Sequence, residues 1–148
     1  MSYLTEHDLV RLLRTLGIVD SVGHVIGAGP VSLNDAAATQ AVTAAMSGQA
    51  FRCAVDAVMT LPAMAAALKG IRYTFQCGAV SAGTGLSISP AAADAIQLAA
   101  GTKVINKDLI NTGASDVLND YVTIEGTGIP GVEAWKVIDI FGIWAKEA

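Results

Sequence analysis

Chemistry at a protein surface needs titratable or nucleophilic side chains that converge, so the acids, histidines, cysteines and candidate nucleophiles come first. Asp94, Asp108, Asp116 and Asp120 fall within one C-terminal stretch. Two such acids could work as a general acid and base on a glycosidic bond. Aspartates among Gly, Asn and Pro commonly close turns or cap strands. His7 and His24 have no acidic or nucleophilic partner at a spacing that would build a dyad. The order Ser81-Ala82-Gly83-Thr84-Gly85 lacks the Gly-x-Ser-x-Gly of a nucleophile elbow, and Gly83–Gly85 reads as a hairpin turn. Gly23–Gly29 is not followed by the Gly-Lys-Ser/Thr of a phosphate loop. Cys53 and Cys77 show neither CxxC nor CxxH spacing, so no metal site is expected; they read as buried thiols, with a disulfide open to them if their strands are neighbours. These residues argue against an enzyme, and for no cofactor.

The elements that carry these residues are short. Thr5–Leu16 has the spacing of an amphipathic helix: Thr5 caps it, Asp8 stands at the third position, and Gly17 stops it. Leu9, Leu12, Leu13 and Leu16 form its single apolar stripe. At about 1.5 Å per residue it is too short to persist alone in water, so the stripe must be buried against something. From Ile18 to Gly48 the pattern is turn-rich, an extended arm punctuated by Gly23, Gly27, Gly29 and Pro30, with helical composition over Ala36–Ala45. Alternation then begins. Phe51, Cys53, Val55 and Ala57 predict one strand; Pro62 to Gly70 predicts a helix of one or two turns; Tyr73, Phe75 and Cys77 predict the next strand. Further strands are expected at Leu86–Ser89, Asp94–Leu98, Tyr121–Glu125 and Glu133–Ile140, with Trp135 and Val137 inward, and at Phe141–Trp144. The sum is a mainly β protein: a small β-sandwich or barrel with a short helix between two strands, spanning 49–148, preceded by a helix and arm over 1–48.

Composition sets the outer bounds. The chain has 148 residues, 53% hydrophobic with 26 alanines, and only 15% charged, with a net charge of -4. A charged share this far below the usual quarter leaves little ionic surface for a lone monomer, a first hint of contacts between subunits. The nine Lys and Arg are scattered singly, so no track for phosphates exists and nucleic acid is not an expected partner. The most apolar stretch, Ala54–Leu68, is broken by Asp56, Thr60 and Pro62, which argues against a membrane span. Glu6, His7 and Asp8 stand where a signal peptide would be basic and then apolar, so folding in a cytoplasm is expected.

One ordered series of short pieces resembles a known family. Thr60-Leu61-Pro62 with an Ala-rich run to Gly70 leads to Arg72-Tyr73-Thr74-Phe75, then Leu86-Ser87-Ile88-Ser89-Pro90 and Asp94-Ala95-Ile96. Ile110-Asn111, Asp120-Tyr121-Val122-Thr123-Ile124 and Gly126 follow, and then Trp135-Lys136-Val137-Ile138 with Phe141-Gly142-Ile143-Trp144. Over this span, Thr60 to Trp144, the chain resembles a β domain of tailed-bacteriophage structural proteins: head decoration (cement) proteins and head-fibre domains. Members tend to show Gly-Thr-Trp where this chain has Gly142-Ile143-Trp144. The resemblance implies a virion protein on the capsid surface, commonly a homotrimer bound to the major capsid protein, with no catalytic residues. It also implies an alternative, a head- or tail-fibre or spike domain that binds a host receptor. On either reading the amphipathic helix is the candidate binding arm. Leu9, Leu12, Leu13 and Leu16 then anchor it on the shell, or pack within its own oligomer.

Overall fold

Alternating side chains build most of the strands. In a computed structural model, which describes residues 33–36, 38–54, 56–79, 85–98, 103–112 and 116–148, Arg72–Cys77 buries Tyr73, Phe75 and Cys77, while Tyr121–Gly126 buries Val122 and Ile124. The expected helix over Thr5–Leu16, with Leu9, Leu12, Leu13 and Leu16, lies outside the described residues, as do His7, His24 and Ser81.

The protein is mainly β, with two sheets. Its first six strands alternate between them. β1 (Leu33–Ala36), β3 (Ala50–Cys53) and β5 (Arg72–Cys77) belong to one sheet; β2 (Thr39–Ala41), β4 (Val58–Thr60) and β6 (Leu86–Ser89) belong to the other. All neighbours in these two trios are parallel. Parallel strands need a connection that returns the chain to its starting end, commonly a helix. Here the strand in the opposite sheet makes the return, so the chain winds around one core as a coil. The segment 33–48, expected as part of an arm, supplies the first strand of each sheet.

The remaining strands close the coil. β7 (Ile96–Gln97), β9 (Tyr121–Gly126) and β10 (Trp135–Phe141) complete a six-stranded sheet ordered β1-β3-β5-β9-β10-β7. β8 (Leu109–Asn111) and β11 (Trp144–Lys146) complete a five-stranded sheet ordered β11-β8-β6-β4-β2. The closing strand β11 lies antiparallel to β8, with Trp144 beside Asn111.

In-register stacking fills the core with matched rungs. Phe51, Phe75 and Val122 are consecutive partners across the first sheet; Met59, Ile88 and Leu109 are consecutive partners across the second. All six are at most 1% exposed. The Phe51 and Phe75 rings stack at 5.6 Å and 20°, and Tyr73 bridges to Trp135 at 5.9 Å. Offset aromatic pairs of this kind add to the burial of their area.

Two local expectations are corrected. Phe51–Val58 is not one strand: β3 stops at Cys53, Asp56 takes a left-handed conformation (φ 54), and β4 starts in the other sheet. The Asp56 carboxylate accepts a hydrogen bond from the Gly85 N–H at 3.1 Å, which fixes the corner. Alternation could not reveal the break, because both strands face the same core. The helix opened by Pro62 reduces to a single 3-10 turn, Ala66–Leu68, with no buried residue. Leu61 and Met64 instead enter the core from extended backbone, where a helix of so few residues has no intrinsic stability.

Removing one rung tests the stacking. Phe75→Ala should destabilise the fold by about 3–5 kcal/mol, measured by urea unfolding; a loss below about 1 kcal/mol would mean that the ring is not packed as described.

Candidate functional site

Three of the four aspartates, Asp94, Asp120 and Asp108, accept hydrogen bonds that hold structure together. Asp94, 2% exposed, accepts from the Met64 N–H at 2.6 Å and the Gly131 N–H at 3.0 Å, so it ties two loops together. Asp120, also 2% exposed, accepts from the Val117 N–H at 3.1 Å and from Asn111 Nδ2 at 3.0 Å. Asn111 Nδ2 donates in turn to the Ile143 carbonyl at 3.0 Å, linking β8 to the start of β11. Gly142 (φ 92) packs on Asp120 so closely that a Cβ there would lie 2.1 Å from the carboxyl carbon. Asp108 accepts from the Ser87 hydroxyl at 2.5 Å. Asp94 and Asp120 are buried carboxylates whose main-chain donors replace the water they lose, which fits turn and cap roles for these two. Among the described residues no group of three or more His, Cys, Asp or Glu is placed to hold a metal ion.

One cleft of about 240 Å³ lies at the ends of β1, β3 and β5, lined by Asp35, Ala36, Arg52, Cys53, Ala54 and Gly78. Its charged lining is the neighbouring pair Asp35 and Arg52, which face each other across β1 and β3.

The outward face of the larger sheet is a ladder of polar pairs. Glu125 sits between two cations, with Arg72 at 2.6 Å and Lys136 at 2.7 Å. The Thr74 and Thr123 hydroxyls share a hydrogen bond at 2.9 Å. Tyr121 donates to Asp139 at 3.1 Å and stacks on Phe141 at 6.0 Å. The Asp139 carboxylate accepting from the phenol holds the Tyr121 hydroxyl above its ordinary pKa.

Beside that ladder the surface turns apolar. Ile138, Ile140, Phe141 and Ile143 are 40%, 39%, 61% and 60% exposed. Ile138, Ile140 and Phe141 lie in the second half of β10 and Ile143 in the turn before β11, whereas among the described residues β7 pairs with the first two residues of β10, Trp135 and Lys136. A register shift between Val137 and Asp139 bulges the strand at Ile138 and changes which residues face out. Scattered apolar residues on a surface are ordinary, but several in succession along one short stretch are a feature that contact surfaces share. This is the strongest candidate site, and the sequence reading, which placed only Trp135 and Val137, passed over it. The signal was present: in Ile138-Asp139-Ile140-Phe141-Gly142-Ile143, apolar residues occupy both parities, and a strand with a single buried face needs only one.

The ion triad makes a pH prediction. Hydrogen bonds from Lys136 and then Arg72 hold the Glu125 carboxyl below its ordinary 4.5. A carboxyl lowered by folding stabilises fully above its unfolded pKa, and that contribution is lost as pH falls through the folded value. Glu125→Gln should therefore cost up to about 1 kcal/mol at neutral pH, since both cations are solvent-facing. The difference should close as the solution is acidified below the ordinary glutamate range; a cost that persists unchanged into acid would show that the charge is not its source. Comparison with known proteins returns no match: no family model fits the chain, no curated protein aligns with it, and no solved structure superposes on it at a significant level.

Proposed function

We propose that this chain is a structural virion protein, a bacteriophage head decoration (cement) protein that binds the outer capsid shell as a homotrimer and stabilises it. Its partners on this reading are the major capsid protein and copies of itself, and it joins the particle in the host cytoplasm. The observation that carries the reading is the exposed apolar stretch Ile138 to Ile143, from the end of β10 into the turn that follows, on a chain with only 15% charged residues. A surface of that kind is what a self-associating subunit needs to bury. The ordered resemblance from Thr60 to Trp144 is what suggests a phage head as the assembly, and the small β-sandwich it implies suits a rigid surface piece.

The binding arm in this proposal is the part of 1–48 that precedes β1, since 33–48 supplies the first strand of each sheet. Leu9, Leu12, Leu13 and Leu16 would be the apolar anchors on the shell. Several arms presented by one oligomer bind cooperatively through effective concentration, so a modest grip at each site holds the whole. The second reading, a fibre or spike domain on a host receptor, is favoured by one feature: the solvent-facing Tyr121–Phe141 stack, an aromatic platform of the kind that sugars bind.

Purified protein added to particles lacking it should bind them and raise the temperature at which they rupture. Failure of both would overturn the cement reading, and binding to host envelope material instead would select the fibre reading. Deleting residues 1–20 should abolish particle binding while leaving the oligomer intact. An oligomer that dissolves on truncation would place the arm in the subunit interface.

A further inference from the structure

β3 and β5 run parallel and in register, so Cys53 stands directly beside Cys77. Both side chains face the core, at 1% and 3% exposed. Paired strands lie about 4.8 Å apart, inside the roughly 4.4–6.8 Å window of Cα separations that a disulfide spans. Each cysteine is the last residue of its strand. The main chain keeps the two ends together: the Gly78 N–H donates to the Cys53 carbonyl at 2.9 Å, and a Cβ at position 78 would lie 2.6 Å from that oxygen. Both thiols are free here, Cys53 donating to the Phe51 carbonyl at 3.7 Å and Cys77 to the Ala79 carbonyl at 3.0 Å. The cleft between Asp35, Arg52 and Gly78 reaches the end of β3 where Cys53 sits.

We propose that Cys53 and Cys77 form a redox pair that closes to an intramolecular disulfide in a thiol-oxidising environment, clamping the second turn of the coil to the third. The oxidant is a small-molecule disulfide such as oxidised glutathione. The Cys77 thiolate attacks one of its sulfurs, breaks the S–S bond and releases one glutathione thiolate. The Cys53 thiolate then attacks the Cys77 sulfur of the mixed disulfide, forms the Sγ–Sγ bond and releases the second. Two electrons pass from the cysteines to the glutathione disulfide, and the two thiol protons end on the released glutathiones. Burial works against a fast reaction, since it pushes the Cys53 thiol up to about 12 and raises Cys77 as well, where Asp116 and Asp120 add to the effect. The pair is thus kept reduced until the strand ends open, and closure is slow near neutrality. This inference does not rest on the proposed function.

The test uses the full chain, incubated with oxidised glutathione or with dithiothreitol and then digested for mass mapping without reduction. The oxidised sample should carry a peptide joining Cys53 to Cys77 and lose both free thiols. Its unfolding midpoint should rise by about 10 °C, the shift for closing a loop of this length in a domain of this size, and dithiothreitol should reverse it. Cys53→Ser and Cys77→Ser should show neither change. Folded wild-type chain that keeps both thiols, or that yields only glutathione adducts or links between molecules, would overturn the proposal, and that reading needs no variant to fold.

Discussion

Register between successive turns of the coil is the constraint on which the rest of this structure depends. When parallel strands stack in register, a residue is placed on its equivalent in the next turn, so each turn must offer the core a side chain that its neighbour can pack against. The chain meets this with Phe51 on Phe75, Cys53 beside Cys77, and Met59 on Ile88. A slip by one residue would turn every one of these to solvent. Neither sheet could bury its apolar face alone; the coil gives each sheet the other as its cover.

Long connections are the cost of winding between two sheets, and buried polar groups hold them. The loops that follow β4, β6 and β9 meet at the Asp94 carboxylate through the Met64 and Gly131 amides. Asp120 and Asn111 fasten the return into β11. Sequence reasoning weighed these aspartates first as chemistry and second as caps. The second role is where the structure places them, because a carboxylate enclosed by main-chain N–H donors is fully engaged in holding backbone.

Much of the fold was legible in the sequence, and the part that was not has a physical reason. Alternation located β5 and β9, and placed Trp135 inward, because a half-buried strand must alternate. Alternation assigns a face but not a partner, so it could not say that β3 and β5 are parallel, that β4 lies in the other sheet, or that Leu33–Ala36 and Thr39–Ala41 are strands at all. The latter two contain Asn34, Asp35 and Gln40, which carry no β signal, and are held in place by β3 and β4 rather than by their own propensity. Pro62 misled in the opposite direction: an Ala-rich run reads as helix, yet Leu61 and Met64 gain more by reaching the core from extended chain.

The candidate surface follows from the same geometry. β10 spends its first half covering the core with Trp135 and pairing with β7; past the bulge at Ile138 it leaves the core and keeps its apolar side chains. On the proposed reading, packing on other copies of the chain would bury Ile140, Phe141 and Ile143. The direct measurement is the solution mass of the purified chain by sedimentation equilibrium, set beside a variant carrying Phe141→Asp and Ile143→Asp. The account predicts a trimer for the parent and a folded monomer for the variant; a parent that stays monomeric at high concentration, or a variant that keeps the parent's mass, would contradict it.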